Sequence, residues 1–504
     1  MNETTAQEPH IVRTGIAGFD DVLCGGLLPY RVYLIEGDPG AGKTTLALQF
    51  LLEGVRQGES SMFVTLSESK EELHAAAASH GWSLDGIHIL EIIASEESLT
   101  PDARYTMFHP SEVELAETTK TVLAEARRIK PDRLVFDSLS ELRLLAEHPL
   151  RYRRQILALK QHFSRHKSTV MFIDDWTNAH SDTHLHSIAH GVVSLGTVPA
   201  EYGALRRRLQ VRKLRGCSYR EGSHDFVIRK GGLQVFPRLV AAEHRTSYAR
   251  ASVPSGIEQL DRLLGGGLAK GTSTLVMGPS GCGKSSLATQ YVVAGAERGE
   301  KSAFFLFDES IATLLDRSAS LGVNIQPLVD ANMVTLRQVD PAEMSPGEFS
   351  HHVRQAVEVD GASMIVIDSL TGYLNAMPSD RMLTLHLHEL LTYLGQRGVT
   401  TLVILTQHGF LGDTEGIDAS YLADTVLLLR YFEALGEIRQ AISVVKKRTG
   451  QHERTIRELK FQDGITVGEP IVTFHGILTG TPELVGSNAA EFRAVSPSDG
   501  SKHQ

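Results

Sequence analysis

The sequence predicts two tandem α/β domains, each a mostly parallel central sheet covered by helices, with antiparallel strands added at its end. Three observations carry that expectation. Apolar, β-branched runs alternate with amphipathic helical stretches, the pattern of parallel strands joined by crossover helices. A glycine-rich loop between a strand and a helix occurs twice. The whole pattern also repeats, because TGIAGFDDVLCGGLL (Thr14–Leu28) is echoed by SGIEQLDRLLGGGLA (Ser255–Ala269). Asp20 and Asp261 stand 241 positions apart, as do Gly37 and Gly278, Lys43 and Lys284, and Glu68 and Glu309. A constant offset over four landmarks marks an internal duplication. Asp137 and Asp368 differ by 231, so the first copy is the longer one before that point.

Taken in order, the chain opens on a polar arm over residues 1–10. A first domain over 11–240 reads VYLIEG, a helix over 43–57, SMFVTLSE, a helix from Lys70, RLVFDS, a helix through Tyr152–His162, and TVMFID. Residues 241–254, AAEHRTSYARASVP, are short and polar enough to link the domains. The second domain, 255–485, gives STLVMG, AFFLFDE, SMIVIDS, TLVILT and VLLLRY as its strands. HDFVIRKGGLQVFP and RTIRELKFQDGITVGEP, late in each copy, read as antiparallel additions. The tail over 486–504 is rich in small and polar residues and is expected to be disordered.

Composition bounds the function. Fifty basic against 60 acidic residues leave a net charge of −10, which gives no support to a broad nucleic-acid footprint. Cys24, Cys217 and Cys282 show neither metal spacing nor a paired framework. No apolar run is long enough to span a membrane, and MNETTAQEPH lacks the regions of a signal peptide. A soluble, cytoplasmic protein is expected. Trp82 and Trp176 read as packing residues rather than base platforms.

The chemistry gathers at strand ends. Residues Gly37, Asp38, Pro39, Gly40, Ala41, Gly42, Lys43, Thr44 and Thr45 satisfy the phosphate-loop rule GxxxxGK[ST] between a strand and a helix. Gly278, Pro279, Ser280, Gly281, Cys282, Gly283, Lys284, Ser285 and Ser286 repeat it. Glycines let backbone N–H groups converge on a di- or triphosphate, and the helix adds its positive end. The lysine reaches the terminal phosphates, and the Thr44 or Ser285 hydroxyl is a ligand for Mg²⁺. Asp137 and Asp368 end the apolar strands RLVFDS and MIVIDS, where such a site places a second Mg²⁺ group. A helix or turn cap is the plainer alternative for each. Ser67–Ser69 (SES) and Asp308–Ser310 (DES) end the next strands. Glu68, Asp308 and Glu309 are therefore candidates to polarise an attacking water or hydroxyl, and Asp308 is also a candidate metal ligand. Helix capping is the competing role.

Lys213, Leu214 and Arg215, in VRKLRG, are matched by Lys446 and Arg448 in VVKKRTG, with lysines and arginines both 233 positions apart. Residues two apart on a strand share a face, so each pair projects two cations together. One use is to reach a neighbouring subunit's terminal phosphate, which requires a ring. A solvated basic edge strand explains the spacing equally well.

With these residues assembled, the chain resembles the KaiC family, double-module ATPases of the RecA superfamily. GFDDVLCGGL, VTLSES, HGW, LVFDS and VRKLRG look like its first module; LFDES, VIDSL, ADTVLLLRYFEALGEIRQAISVVKKR and IREL look like its second. The resemblance runs from about Thr14 to about Pro470. It implies two RecA-like domains, and a homohexameric double ring binding ATP and Mg²⁺ between subunits, with regulatory protein partners. The first ring would hydrolyse ATP slowly, and the second would phosphorylate its own chain and reverse this. The implied phosphoacceptors fall on Ser420 and Tyr421, where the family pattern is Ser-Thr, so Tyr421 departs from it. The family's catalytic Glu-Glu pair reads Asp308-Glu309 in the second module, and Ser67 replaces its first member in the first. Two other classes stay open: a DNA-acting motor of the same superfamily, and a nucleotide-gated scaffold without phosphotransfer.

Overall fold

A computed structural model describes residues 11–92, 110–146, 148–176, 183–199, 203–375, 380–406, 419–434, 436–462, 464–478 and 483–484. The polar arm and the C-terminal tail lie outside these residues. The chain divides into two compact units, Met1–Arg238 with Ser345–Glu348, and Leu239–Met344 with Phe349–Gln504.

The first unit is built on a nine-stranded sheet of β1 (Val32–Gly37), β2 (Ser61–Thr65), β3 (Ile87–Glu91), β4 (Arg133–Asp137), β5 (Thr169–Asp175), β6 (Gly191–Val198), β7 (Arg206–Leu214), β8 (His224–Arg229) and β9 (Gly232–Phe236). Their order is β3-β2-β4-β5-β1-β6-β7-β8-β9. Neighbours from β3 to β6 are parallel, and those from β6 to β9 are antiparallel. β1, β2 and β4 are buried at every position, as a parallel sheet covered on both faces requires. Alternate residues serve opposite layers. Ile35, Phe63 and Val135 pack with Leu46, Phe50 and Leu51 of the helix Lys43–Arg56. Leu34, Met62 and Leu134 pack with Ile156, Leu159 and Phe163 of the helix Pro149–Arg165.

A two-stranded ribbon, β10 (Ser252–Val253) with β11 (Leu268–Ala269), precedes the second sheet. That sheet comprises β12 (Ser273–Gly278), β13 (Ser302–Leu306), β14 (Val334–Gln338), β15 (Met364–Asp368), β16 (Thr400–Thr406), β17 (Thr425–Ala434), β18 (Glu437–Lys447), β19 (Arg457–Lys460) and β20 (Thr466–Pro470). Its order, β14-β13-β15-β16-β12-β17-β18-β19-β20, copies the first, with a parallel core and antiparallel strands at the end. Even the irregularities repeat: the register slips between Val192 and Val193 against β7, and between Val426 and Leu427 against β18. The polar segment after Leu239 packs on this second unit. Ala241 forms part of a short 3₁₀ turn and donates its N–H to Glu389, and Thr246 bonds the Gln396 carbonyl. Among the described residues, no helix is long and apolar enough to cross a membrane.

Candidate functional site

In both units the phosphate loop leaves the carboxyl end of a central, buried strand, the place where open α/β sheets bind ligands. Gly37 passes so close to Leu195 that a Cβ would lie 2.0 Å from the Leu195 carbonyl oxygen. Gly42 and Gly283 take φ of +100° and +94°, left-handed values open to glycine without strain. Each then opens a helix that has no side-chain cap, so the first backbone N–H groups are left for an anion.

Within this frame the lysines fold back on the loops. Lys43 Nζ donates to the carbonyls of Gly37 (3.0 Å) and Asp38 (2.8 Å), and Lys284 Nζ to those of Gly278 (3.0 Å) and Pro279 (2.6 Å). The next residue on each helix meets the predicted strand-end carboxylate. Thr44 Oγ1 donates to Asp137 Oδ2 at 3.1 Å. Burial pushes the Asp137 carboxyl up to about 7, with Glu68 adding repulsion and the Thr44 hydroxyl opposing. Burial likewise pushes Asp368 up to about 6, opposed by a hydrogen bond from Ser285. Asp368 Oδ2 is buried and has no hydrogen-bond partner, an oxygen that a cation beside the Ser285 hydroxyl would satisfy. These two pairs therefore fit Mg²⁺, which in nucleotide sites takes one or two protein oxygens and completes its shell from phosphates and water. Among the described residues no cluster of three or more His, Cys, Asp or Glu could hold a metal alone.

The competing capping role goes to other residues than the candidate bases. Ser69 and Glu72 form a reciprocal capping box on the helix Lys70–Ser79, and Ser310 caps the helix Ile311–Ser320. Glu68 sits just outside, half-buried, its carboxyl raised by burial and by Glu72. In the second unit Asp308 accepts a hydrogen bond from Ser369, and Glu309 pairs with Arg317 at 2.5 Å. The two sites thus share a scaffold but differ in their charges.

Three of those charges were not singled out from the sequence. Asp175 ends β5, lies in register with Gly37, and pairs with Lys43 at 2.7 Å. The corresponding end of β16 is Thr406, in register with Gly278. Arg317 is eight residues after Glu309, and the same offset from Glu68 reaches Ala76. Glu36, buried in β1, accepts from Ser194 (2.8 Å) and meets His186 (2.7 Å), where the second unit has Met277. Aligning the two copies strand by strand would have exposed these differences; motif matching alone does not. Trp82 packs beside the first core, whereas Trp176 is 39% exposed, its backbone N–H bonded to the Gly37 carbonyl.

The cation pairs lie elsewhere. Lys213 donates to the His186 and Ala189 carbonyls, and Lys446 to those of Ser420 (2.8 Å) and Ala423 (2.8 Å). Each lysine thus closes the turn leading into β6 or β17. Arg215 is exposed, and Arg448 Nη2 donates to the Tyr421 carbonyl at 3.0 Å. Ser420 and Tyr421 belong to the 3₁₀ turn Ala419–Tyr421, and Tyr421 is half exposed. This turn and the basic pair sit at the amino-terminal end of the parallel strands, since Asp424 receives the Ser273 N–H at the start of β12. The phosphate loop leaves the other end of that strand, roughly 16 Å away by strand rise.

Comparison with known proteins agrees with this duplicated geometry. A family model described as the KaiC ATPase matches residues 12–240 and again 253–471. The chain is 27% identical over 493 residues to the circadian clock oscillator protein KaiC of Thermostichus vulcanus, covering 96% of this chain and 94% of that one. It is 27% identical over 498 residues to the protein of the same name from Acaryochloris marina, covering 96% and 93%. It is also 27% identical over 493 residues to the circadian clock protein KaiC3 of Synechocystis sp., covering 95% and 96%. With two matched modules, two nine-stranded mixed sheets and two phosphate loops over buried strand-end aspartates, the chain belongs to the KaiC family of ATPases.

Proposed function

We propose that each unit binds ATP with Mg²⁺, that the first hydrolyses it, and that the second transfers its terminal phosphate to Ser420 of an adjacent copy in a homohexamer. The observation carrying this reading is the duplicated constellation of a loop lysine, a helix hydroxyl and a buried aspartate. Lys43 and Lys284 neutralise the terminal phosphates, and Thr44 with Asp137, or Ser285 with Asp368, hold the cation. When bound, Mg²⁺ draws charge off the transferring phosphoryl group. Glu68 orients and deprotonates water in the first unit, and Glu309 with Asp308 serves the acceptor hydroxyl in the second.

The intermolecular element rests on where the acceptor sits. Ser420, Tyr421, Lys446 and Arg448 lie at the end of their sheet opposite its own phosphate loop, and Lys213, Leu214 and Arg215 occupy the equivalent end of the first. Residues so placed can serve a neighbouring copy's nucleotide more readily than their own. The relatives named as clock proteins support a cytoplasmic signalling or timing assembly with protein partners.

Incubation of the full chain with γ-labelled ATP tests the proposal. Label retained on Ser420, and lost in Lys284→Ala, is the expected result. Free phosphate without protein label would support a nucleotide-gated scaffold instead. Normal labelling of Lys284→Ala would overturn the assignment of the second unit.

A further inference from the structure

The two loops differ in one charge at their centre. In the first unit the carboxylate of Asp175 is 2.7 Å from Lys43 Nζ, and that side chain is 39% exposed. Its place in the sheet is fixed, since Asp175 is the register partner of Gly37, where the loop begins. The second unit has an uncharged Thr406 at the corresponding position, partner of Gly278, and Lys284 bonds loop carbonyls without a carboxylate there. A phosphate-loop lysine works by meeting the terminal phosphates of a nucleotide. In the first unit that ammonium already holds an anion.

We propose that Asp175 is a specificity-determining residue that biases the first unit toward nucleoside diphosphate and against nucleoside triphosphate. The inference deepens the proposed function and rests on the reading of the first loop as a nucleotide site. Its carboxylate occupies Lys43 as a phosphate oxygen would, so an incoming terminal phosphate must both displace it and remain beside its charge. A nucleoside diphosphate still brings its β-phosphate to the lysine but lacks the γ-phosphate and its charge, and so meets less of the repulsion. The contact is also asymmetric, since the second loop has the same lysine geometry with the uncharged Thr406 at the matching strand position. The first unit should therefore favour diphosphate over triphosphate more than the second does.

The test measures binding of ADP and of the β,γ-imido analogue of ATP to the full chain with Mg²⁺. Lys284→Ala silences the second site while the first is read. Relative to that parent, Asp175→Thr is expected to raise affinity for the triphosphate analogue over ADP by about tenfold, the order of one partly screened charge. The reciprocal Thr406→Asp, read with Lys43→Ala, should shift the second site the other way. This second variant keeps the test decisive if Asp175→Thr fails to fold. Unchanged triphosphate-to-diphosphate ratios with binding intact would overturn the inference alone. Binding of neither nucleotide by the parent would overturn the reading of the first loop as a nucleotide site, and the inference with it.

Discussion

Replacing Asp137 by asparagine should make the nucleotide-free first unit more stable while abolishing its metal-dependent function. The carboxyl is 6% exposed and raised from an ordinary 3.8 to about 7, chiefly by burial and then by Glu68. The folded state therefore holds a proton more tightly than the unfolded chain. Stability is unaffected well below pH 4, falls as pH rises through the window between the two values, and is lowest above 7. At about 1.4 kcal/mol per unit, the three-unit gap costs the fold about 4 kcal/mol near pH 8 and about 2 kcal/mol near pH 5. Asn keeps an oxygen for the Thr44 hydroxyl and carries no charge. The variant should gain a few kcal/mol near pH 8, or about 5–10 °C in unfolding temperature for a domain of this size, and lose much of the slope between about pH 4 and 7. Both tryptophans, Trp82 and Trp176, lie in the first unit, so their fluorescence follows its unfolding against urea without labelling. An Asp137→Asn chain no more stable than the parent near pH 8, or with the parent's pH dependence, would refute the argument that this carboxylate is held under strain for a cation.

Three other outcomes follow from the same contacts. Arg317→Ala removes the 2.5 Å partner of Glu309 and should raise second-unit phosphoryl transfer several-fold; after Glu309→Gln the same change should do nothing further, and additive effects would contradict it. Lys213→Ala leaves two carbonyls without their donor and should cost about 1–2 kcal/mol in urea unfolding, whereas exposed Arg215→Ala should leave stability within about 0.5 kcal/mol but lower first-unit ATP hydrolysis. His190 is held down to about 4 by burial and by Lys160, Arg31, Arg215 and Lys213, and its Nδ1 accepts the Val32 N–H at 3.3 Å. The unfolded chain binds that proton first, so stability is full above about 6.5 and falls as pH drops toward 4, by about 1–2 kcal/mol after allowing for its partial exposure; His190→Gln should flatten tryptophan-monitored stability in that window.

Much of this was legible in the sequence because the relevant signals are local. Buried parallel strands must be continuous apolar runs, and VYLIEG, RLVFDS and MIVIDS are buried along their length. A phosphate loop needs its glycines and lysine in consecutive register, so a single stretch states each candidate loop in full, and both lie between a strand and a helix as expected. Asp137 and Asp368 were recognisable as carboxylates ending such strands. Other features depend on which strands adjoin, which no single stretch states. Asp175 looks like the end of TVMFID until β5 is placed beside β1, and the Thr406 contrast emerges only from the matching pair. Arg317 reads as an ordinary helix residue until the turn before it brings Glu309 back over the helix. The lysines at 213 and 446 were read as paired with their arginines on a strand face. The repeated bulges and the carbonyls each lysine binds give them a turn-closing role in their own chain, and any role in a second chain must coexist with it.

The central claim is that a nucleotide held by one copy is completed by the basic strand end of another. The most direct measurement mixes two full-length chains impaired in first-unit hydrolysis, Glu68→Gln and Arg215→Ala, with second-unit turnover silenced in both by Glu309→Gln. If the sites are shared, mixed assemblies rebuild complete ones, and ATP hydrolysis should recover to about a quarter of the parent at equal proportions. A mixture no more active than the sum of its two components would contradict the account.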